Sequence, residues 1–287
     1  VLLAVPNVSE GRDTIVIARI GEAFASPRGV RLLDVHRDPD HHRSVFTLAG
    51  EPGELAFGLA AGARVALEEV DLGAHAGVHP HVGALDVAPI VHLSERERGA
   101  ACVEALVAAD ELGRLDLPVF LYGVLADGRT RAELRRGGPE ALAERIAVGE
   151  LRPDFGPPRL HPTGGATLVA ARPPLVAFNL ELAPPATLAD ARRIAAAVRA
   201  DAKLPGVRAL GLELSSRGAV QLSFNVEDPV AVPLVRLVEA VREHAAIARA
   251  ELVGLAPEAA LAGFPSELPL PNFDPERHLI ERALARG

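Results

Sequence analysis

Short apolar runs alternate with longer amphipathic stretches along most of the chain, and that alternation predicts a mixed α/β protein. Leu2–Val5 reads as a strand stopped by Pro6-Asn7. Asp13 is placed to cap a helix reaching about Phe24, which Pro27-Arg28-Gly29 ends. Val30–Val35 and Arg43–Leu48 read as strands joined by the polar loop His36–His42. Glu54–Val70 predicts a helix with small residues on one face, suited to close packing on a sheet. A loop rich in glycine and histidine follows, Gly73–Gly83, and then a strand, Leu85–Val91. Ser94 and Glu97 form the S-x-x-E pattern that opens a helix, here reaching about Leu115. Val119–Tyr122 reads as another strand, and Asp154–Gly165 is dense in turn residues.

The pattern then restarts. Leu175–Leu182 reads as a strand, and Thr187 with Asp190 caps a helix to about Ala200. Val207–Leu214 and Ala219–Asn225 read as a hairpin around Ser216-Arg217-Gly218, followed by a helix over Pro233–His244 and a strand over Ala250–Gly254. The expected fold class is therefore α/β (α+β): two βαββαβ sandwiches, each a mixed sheet covered by helices, dividing at residues 1–173 and 174–287. No residue-level repeat links the halves. A ligand is expected in the groove between them or against the Pro/Gly-rich segment.

Composition narrows this only a little. A chain of 287 residues accommodates one large domain or two smaller ones. With 49% hydrophobic and 3% aromatic residues, its core must come from Leu, Val, Ala and Ile, with nine Phe as the bulky pieces. The net charge of -8 speaks against phosphate-rich nucleic acid as a partner. The single cysteine, Cys102, excludes an intrachain disulfide and reads as a buried thiol. No leader and no long apolar run is visible, so the expected setting is cytoplasmic and membrane-free, and the lack of Met suggests a trimmed initiator.

Three segments carry candidate chemistry. In His75-Ala-Gly-Val-His79-Pro-His81-Val-Gly83-Ala-Leu-Asp86, three imidazoles fall within one glycine-rich loop. Imidazole accepts and returns a proton near neutral pH. The same H-x-x-x-H-x-H spacing can supply three ligands to zinc, or the histidines can be structural, and spacing alone leaves these readings open. The second segment is Asp34-Val-His36-Arg37-Asp38-Pro39-Asp40-His41-His42-Arg43, where Arg43 opens a strand and can grip a carboxylate with two parallel hydrogen bonds. Asn7, at a strand end, can both donate to and accept from a ligand. The third is Asp154–Thr167, containing Gly156, Pro157, Pro158, Arg159, Leu160, His161, Pro162, Thr163, Gly164 and Gly165, a stiff backbone wall suited to a flat heterocycle. Asn225 is a further candidate facing the cleft.

Taken with VPNVSEGR (Val5–Arg12), PVFLYG (Pro118–Gly123), AFNLEL (Ala177–Leu182) and LVGLAP (Leu252–Pro257), these segments resemble the glutamate formiminotransferase family, in family order over nearly the whole chain. That family includes the transferase portion of formiminotransferase-cyclodeaminase. The resemblance implies a folate-dependent transferase that moves a formimino group from N-formiminoglutamate to tetrahydrofolate. It implies His79 as the catalytic histidine, a folate-binding stretch at Gly156–Gly165, a homodimer, and no metal for this step. Arg43 and His81 are then candidates for the donor carboxylates, Asn7 for the folate ring or amidine, and His36 for a second titrating group. Departures from the family pattern fall at His36, His42, Val78 and His81, and bear on donor identity. The rival readings are another formimino or formyl donor, a non-catalytic folate-binding protein, and a zinc hydrolase.

Overall fold

A computed structural model describes residues 1–75, 80–214 and 217–286. The chain divides into two compact units, Val1–Pro173 and Pro174–Gly287.

In the first unit the elements run β1 (Leu2–Ala4), β2 (Asn7–Val8), α1 (Thr14–Phe24), β3 (Arg31–Asp38), β4 (Arg43–Gly50), α2 (Leu55–Glu69), β5 (Leu85–Val91), α3 (Arg98–Gly113), β6 (Val119–Leu121), α4 (Arg131–Leu134), α5 (Gly138–Ala147) and β7 (Thr167–Arg172). The strands form one seven-stranded sheet. β1 and β2 occupy a single lane between β4 and β5, antiparallel to both. Val5 and Pro6 continue the lane, through Val5 N–H to the Pro89 carbonyl and Phe46 N–H to the Pro6 carbonyl, both 3.0 Å. β3 flanks β4 antiparallel, while β7 is parallel to both β5 and β6. The sheet is thus mixed, as expected.

The helices cover the two faces unequally. Ile17, Ile20 and Phe24 of α1, Leu55, Leu59 and Ala63 of α2, and Ala101, Ala105 and Leu112 of α3 pack against Phe46, Leu48, Ile90 and Val169 of the sheet. The small face of α2 also lets the helices approach one another: a Cβ on Gly62 would run into the Phe24 ring of α1. On the opposite face, Leu134 of α4 with Leu142 and Ile146 of α5 pack on Val87, Phe120 and Leu168. Each of the buried Val, Leu, Ile and Phe side chains among these contributes about 1.5–3 kcal/mol relative to exposure, and each Ala methyl about 0.8 kcal/mol.

The second unit is β8 (Val176–Leu182), α6 (Leu188–Ala200), β9 (Val207–Leu214), β10 (Ala219–Val226), α7 (Leu234–Arg242) and β11 (Ile247–Val253), with short helical turns at the C-terminal end. This is the expected βαββαβ order, with the Thr187–Asp190 capping box in place. The sheet, in order β11-β8-β10-β9, differs from expectation in being antiparallel throughout rather than mixed. Its core packs Phe178, Leu180, Leu222 and Phe224 under Ile194, Val198, Leu237 and Val241. Among the described residues no helix is long and apolar enough to cross a membrane.

Two differences in the first unit bear on the site. The strand expected to end at Val35 runs on to Asp38, because Asp34, His36 and Asp38 alternate with Val35 and Arg37 and so line one face of β3. The run Thr167–Arg172, to which the sequence pattern assigns no element, is the interior strand β7, next to the edge strand β6, and α4 and α5 occupy a stretch equally unassigned.

One stabilising device is visible only in three dimensions. Helix α2 starts at Glu54 without a side-chain cap of its own. Glu104, 3% exposed on α3, supplies it by accepting from the Gly53 and Ala56 N–H groups. We expect Glu104→Ala, which strands the buried Ala56 donor and removes the acceptor of the Gly53 N–H, to lower stability by about 1–3 kcal/mol. Urea unfolding should show the lower midpoint with an unchanged slope, and Glu104→Gln, which keeps an accepting oxygen, should lose less.

Candidate active site

Residues standing opposite one another in paired strands project from the same face of a sheet. His36 is opposite Val45, Asn7 is opposite both Val45 and Val87, Val87 is opposite Leu168, and Leu168 is opposite Phe120. One row therefore crosses the sheet on the face carrying α4 and α5. Two residues along, Asp38 stands opposite Arg43 on that same face, and so does Asp34 opposite Thr47. The structure thus brings Asn7, His36 and Arg43 onto one surface. The Asn7 amide donates to the Val5 carbonyl at 3.0 Å.

The connection between β3 and β4 is tightly tied. The Asp38 carboxylate accepts from the Asp40 and His41 amides at 2.8 and 2.9 Å and from His41 Nδ1 at 2.6 Å. Burial would raise this carboxyl, but the His41 ring and the two amides outweigh it and hold it at about 2. His42 follows with its backbone in the left-handed region, φ 50°, so its ring turns back toward the second strand. Its Nδ1 accepts the Gly11 N–H at 3.2 Å. Gly11 must lack a side chain, since a Cβ there would meet the Asp38 carbonyl and the Arg43 amide. Burial of the Arg43 guanidinium, together with Arg135, pushes its pKa down to about 10, opposed by Asp86 and Asp38. It remains a cation at neutral pH.

Three histidines meet beside this turn. The His42 and His75 rings lie 4.5 Å apart, and those of His75 and His81 lie 4.0 Å apart. His75 Nε2 donates to the His42 carbonyl at 3.0 Å, which fixes the proton of the neutral ring on that nitrogen. His42 is pushed below the ordinary imidazole value of 6.5 by burial, by Arg12 and by His81, against the pull of Glu10. Burial and its two histidine neighbours lower His75 in the same direction. Among the described residues no three His, Cys, Asp or Glu side chains are placed to hold a metal ion together. His79, the middle histidine of the sequence pattern, lies outside the described residues.

The glycine-rich segment is hydrogen-bonded to residues that precede and follow positions 76–79 in sequence. The Leu72 amide donates to the Thr163 carbonyl at 3.2 Å, just before that stretch. Just after it, Ala84 N–H donates to the Gly164 carbonyl and Ala166 N–H to the Val82 carbonyl, each at 2.9 Å. His161 Nδ1 accepts the Gly164 N–H at 2.9 Å, and Arg159 pairs with Asp116 at 2.8 Å on the surface. Gly165 has φ 66°, and Gly83 faces it across a bridge. Leu160 packs against the apolar cluster under α4 and α5. Asn225 lies in the second unit, on β10, opposite Ala177 and Arg208.

Several residues here were not singled out by sequence reasoning. Asp86, 1% exposed, accepts the Val82 N–H at 2.8 Å and pairs with Arg135 of the α4 end, joining the exit of the histidine loop to that helix. Ser9 Oγ donates to the Gly83 carbonyl at 2.7 Å. Tyr122, Arg131 and Arg172 lie on the same side of the sheet as Asp86 and Arg135, around α4. The buried Asp in G-A-L-D was the one local signal, since a carboxylate inside an apolar strand requires partners.

This arrangement belongs to a chain of the formiminotransferase family. Residues 1–172 match the model of the formiminotransferase domain, N-terminal subdomain. The chain is 36% identical to a glutamate formimidoyltransferase of Thermoplasma acidophilum, over 99% of this chain and 97% of that protein. It is 34% identical to a glutamate formimidoyltransferase of Streptococcus pyogenes serotype M1, over 98% and 97%. Against the formimidoyltransferase-cyclodeaminase of Rattus norvegicus it is 35% identical over 90% of this chain, spanning 50% of that longer protein.

The depressed histidines carry a pH signature. Below 6.5 the unfolded chain protonates His42 and His75 more readily than the folded protein does, so stability rises with pH through that range. We expect the thermal midpoint to fall as pH drops below about 6.5, and His42→Gln/His75→Gln to fall less steeply over the same range.

Proposed function

We propose that this protein is a one-carbon transferase that moves the formimino group of N-formimino-L-glutamate to N5 of tetrahydrofolate. The observation that carries the reading is the hydrogen-bonded pairing of the glycine-rich segment with both flanks of the histidine loop. It holds the segment proposed as a wall for a flat pterin to Leu72 on one side and Val82 and Ala84 on the other side of the stretch that carries the residue proposed to move the proton. The family membership and the names of the two full-length relatives support the same reaction.

The chemistry has modest requirements. N5 attacks the electrophilic amidine carbon and a tetrahedral adduct forms. N5 then loses a proton, and the departing glutamate nitrogen gains one. A single imidazole near both nitrogens serves both steps, and His79 is assigned that role. Acid–base catalysis of this kind contributes roughly 10²–10⁴-fold, and holding two substrates together removes much of the remaining entropic barrier.

The other assignments follow from placement. Arg43, a partly buried cation on the sheet face, takes a donor carboxylate, with His81 assisting from the three-histidine cluster. Asn7 and His36, in the same row, position the amidine or the pterin edge. Gly156–Gly165 receives the folate ring. Asn225 remains a substrate-binding candidate on the sequence argument only. The protein is assigned to the cytoplasm, as a homodimer that needs no metal for this step.

The deciding assay mixes protein, tetrahydrofolate and a panel of formimino and formyl donors, and follows formation of the 5-formimino product. Formiminoglutamate should be the best donor. His79→Ala should lose at least ~10²-fold in turnover while still binding folate. Wild-type turnover in a folded His79→Ala protein would overturn the assignment.

A further inference from the structure

The face of the first sheet that carries Arg43 holds more positive charge than its acids balance. Arg43 and Arg135 have Asp86 between them. Farther along, the groups acting on Arg172 among the described residues are the Arg131 guanidinium and the neutral Tyr122 phenol, and neither is an acid. Arg172 closes β7 opposite Val91, and its carbonyl accepts the His92 N–H at 3.1 Å, so its backbone is fixed in the sheet. Burial, together with Arg131, lowers its guanidinium to about 10, opposed by Tyr122. One terminal nitrogen donates to the Pro173 carbonyl at 3.0 Å, while Nε is buried with no partner among the described residues.

Tyr122 is 7% exposed, and its buried hydroxyl faces the Arg172 side chain, with no hydrogen bond of normal geometry among the described residues. The Arg131 guanidinium sits over the same ring, 5.8 Å from its centre. Two guanidiniums and a phenol therefore gather without a carboxylate. Buried donors in a native protein are normally satisfied, and an unpaired buried charge is the costliest exception. A carboxylate is the complementary group, because its two oxygens accept from planar guanidinium forks and from a hydroxyl together.

We propose that Arg131, Tyr122 and Arg172 form a carboxylate subsite that takes a glutamyl group of a reactant. The proposal rests on the folate-dependent transfer argued above, in which both reactants carry such a group. Position favours the folate. β7 begins at Thr167, directly after the glycine-rich segment, and five residues of strand at about 3.3 Å each put Arg172 roughly 17 Å farther on. In the folate, a p-aminobenzoyl spacer separates the pterin from the glutamyl carboxylates. In the donor, the carboxylates lie only a few bonds from the reacting carbon.

The experiment compares Michaelis constants for wild type, Arg172→Gln, Arg172→Lys and Tyr122→Phe, using tetrahydrofolate, tetrahydropteroate (which lacks the glutamyl group) and formiminoglutamate. Arg172→Gln should raise KM for tetrahydrofolate at least ~10-fold, more than it changes kcat, with KM for tetrahydropteroate unmoved. Arg172→Lys should recover part of the loss, and Tyr122→Phe should show a smaller rise. A rise confined to formiminoglutamate would support the subsite and assign it to the donor. Unchanged KM for both glutamyl reactants in folded Arg172→Gln and Tyr122→Phe proteins would overturn it. If Arg172→Gln fails to fold, the removal of one oxygen in Tyr122→Phe decides alone. Loss of the folate reading itself is separate: it appears as absence of both turnover and pterin binding in the wild type.

Discussion

The first unit depends on one close backbone crossing, where Val82–Ala84 meets Gly164–Ala166. Two amide–carbonyl hydrogen bonds of 2.9 Å join the segments, and neither glycine at the crossing tolerates a side chain. A Cβ on Gly83 would enter the Ala166 carbonyl, and one on Gly165 would enter the Val82 carbonyl. Gly165 also sits at φ 66°, where an L-residue is strained. The crossing lies where β5 and β7 begin, so it sets the start of their parallel pairing and brings the glycine-rich segment against the flanks of the histidine loop. Ser9 and Thr167 reinforce it by donating to the Gly83 and Leu85 carbonyls at 2.7 and 2.6 Å.

Around that crossing, buried charge is handled in three ways. Asp38 is surrounded by donors, the His41 ring and two amides, and stays ionised far below neutral pH. Asp86 is closed by the Val82 amide and Arg135, so its charge fastens the exit of the histidine loop to α4. His42 and His75 are disfavoured from charging by burial and by the positive groups around them. Cations and anions are therefore not scattered over this face. The acids are consumed internally, and what is left over is guanidinium. A surface organised in that way is suited to anionic reactants, although the protein as a whole carries a net charge of -8.

Much of this was legible in the sequence, and what was not has identifiable causes. The βαββαβ order of the second half could be read because its strands alternate cleanly and its first helix carries a full T-x-x-D cap. In the first half, β3 looked too short because its inner face is polar: His36 and Asp38 read as loop although, with Asp34, they form the less exposed side of the strand. α4 and α5 were hidden by Gly137-Gly138-Pro139, a sequence that reads as a break although Gly138 and Pro139 open the second helix. With those helices unplaced, nothing in the sequence drew attention to Arg131 and Arg135. Arg172 was hidden for a related reason, as the end of an apolar run to which no strand was assigned. No periodicity in one chain marks residues that meet across forty or more positions, so Asp86 and Arg135 had to wait for the fold.

The same reasoning separates the histidines, which local pattern alone could not do. His41 is spent on Asp38, and His42 and His75 are spent on Gly11 and on each other. His161 accepts a backbone amide within its own turn. A histidine whose ring nitrogens already hold a loop together is poorly suited to exchanging protons with a substrate, because each transfer would break the contact that positions it. These rings are better understood as the frame of the loop than as its chemistry. Hydrogen bonds hold the frame on both sides of residues 76–79, and its purpose is intelligible if the loop presents an imidazole to a ligand lying along the glycine-rich wall. Supporting rings also explain why the metal and acid–base readings look alike in sequence: both leave several imidazoles close together, and only their hydrogen-bond partners tell a supporting ring from a working one.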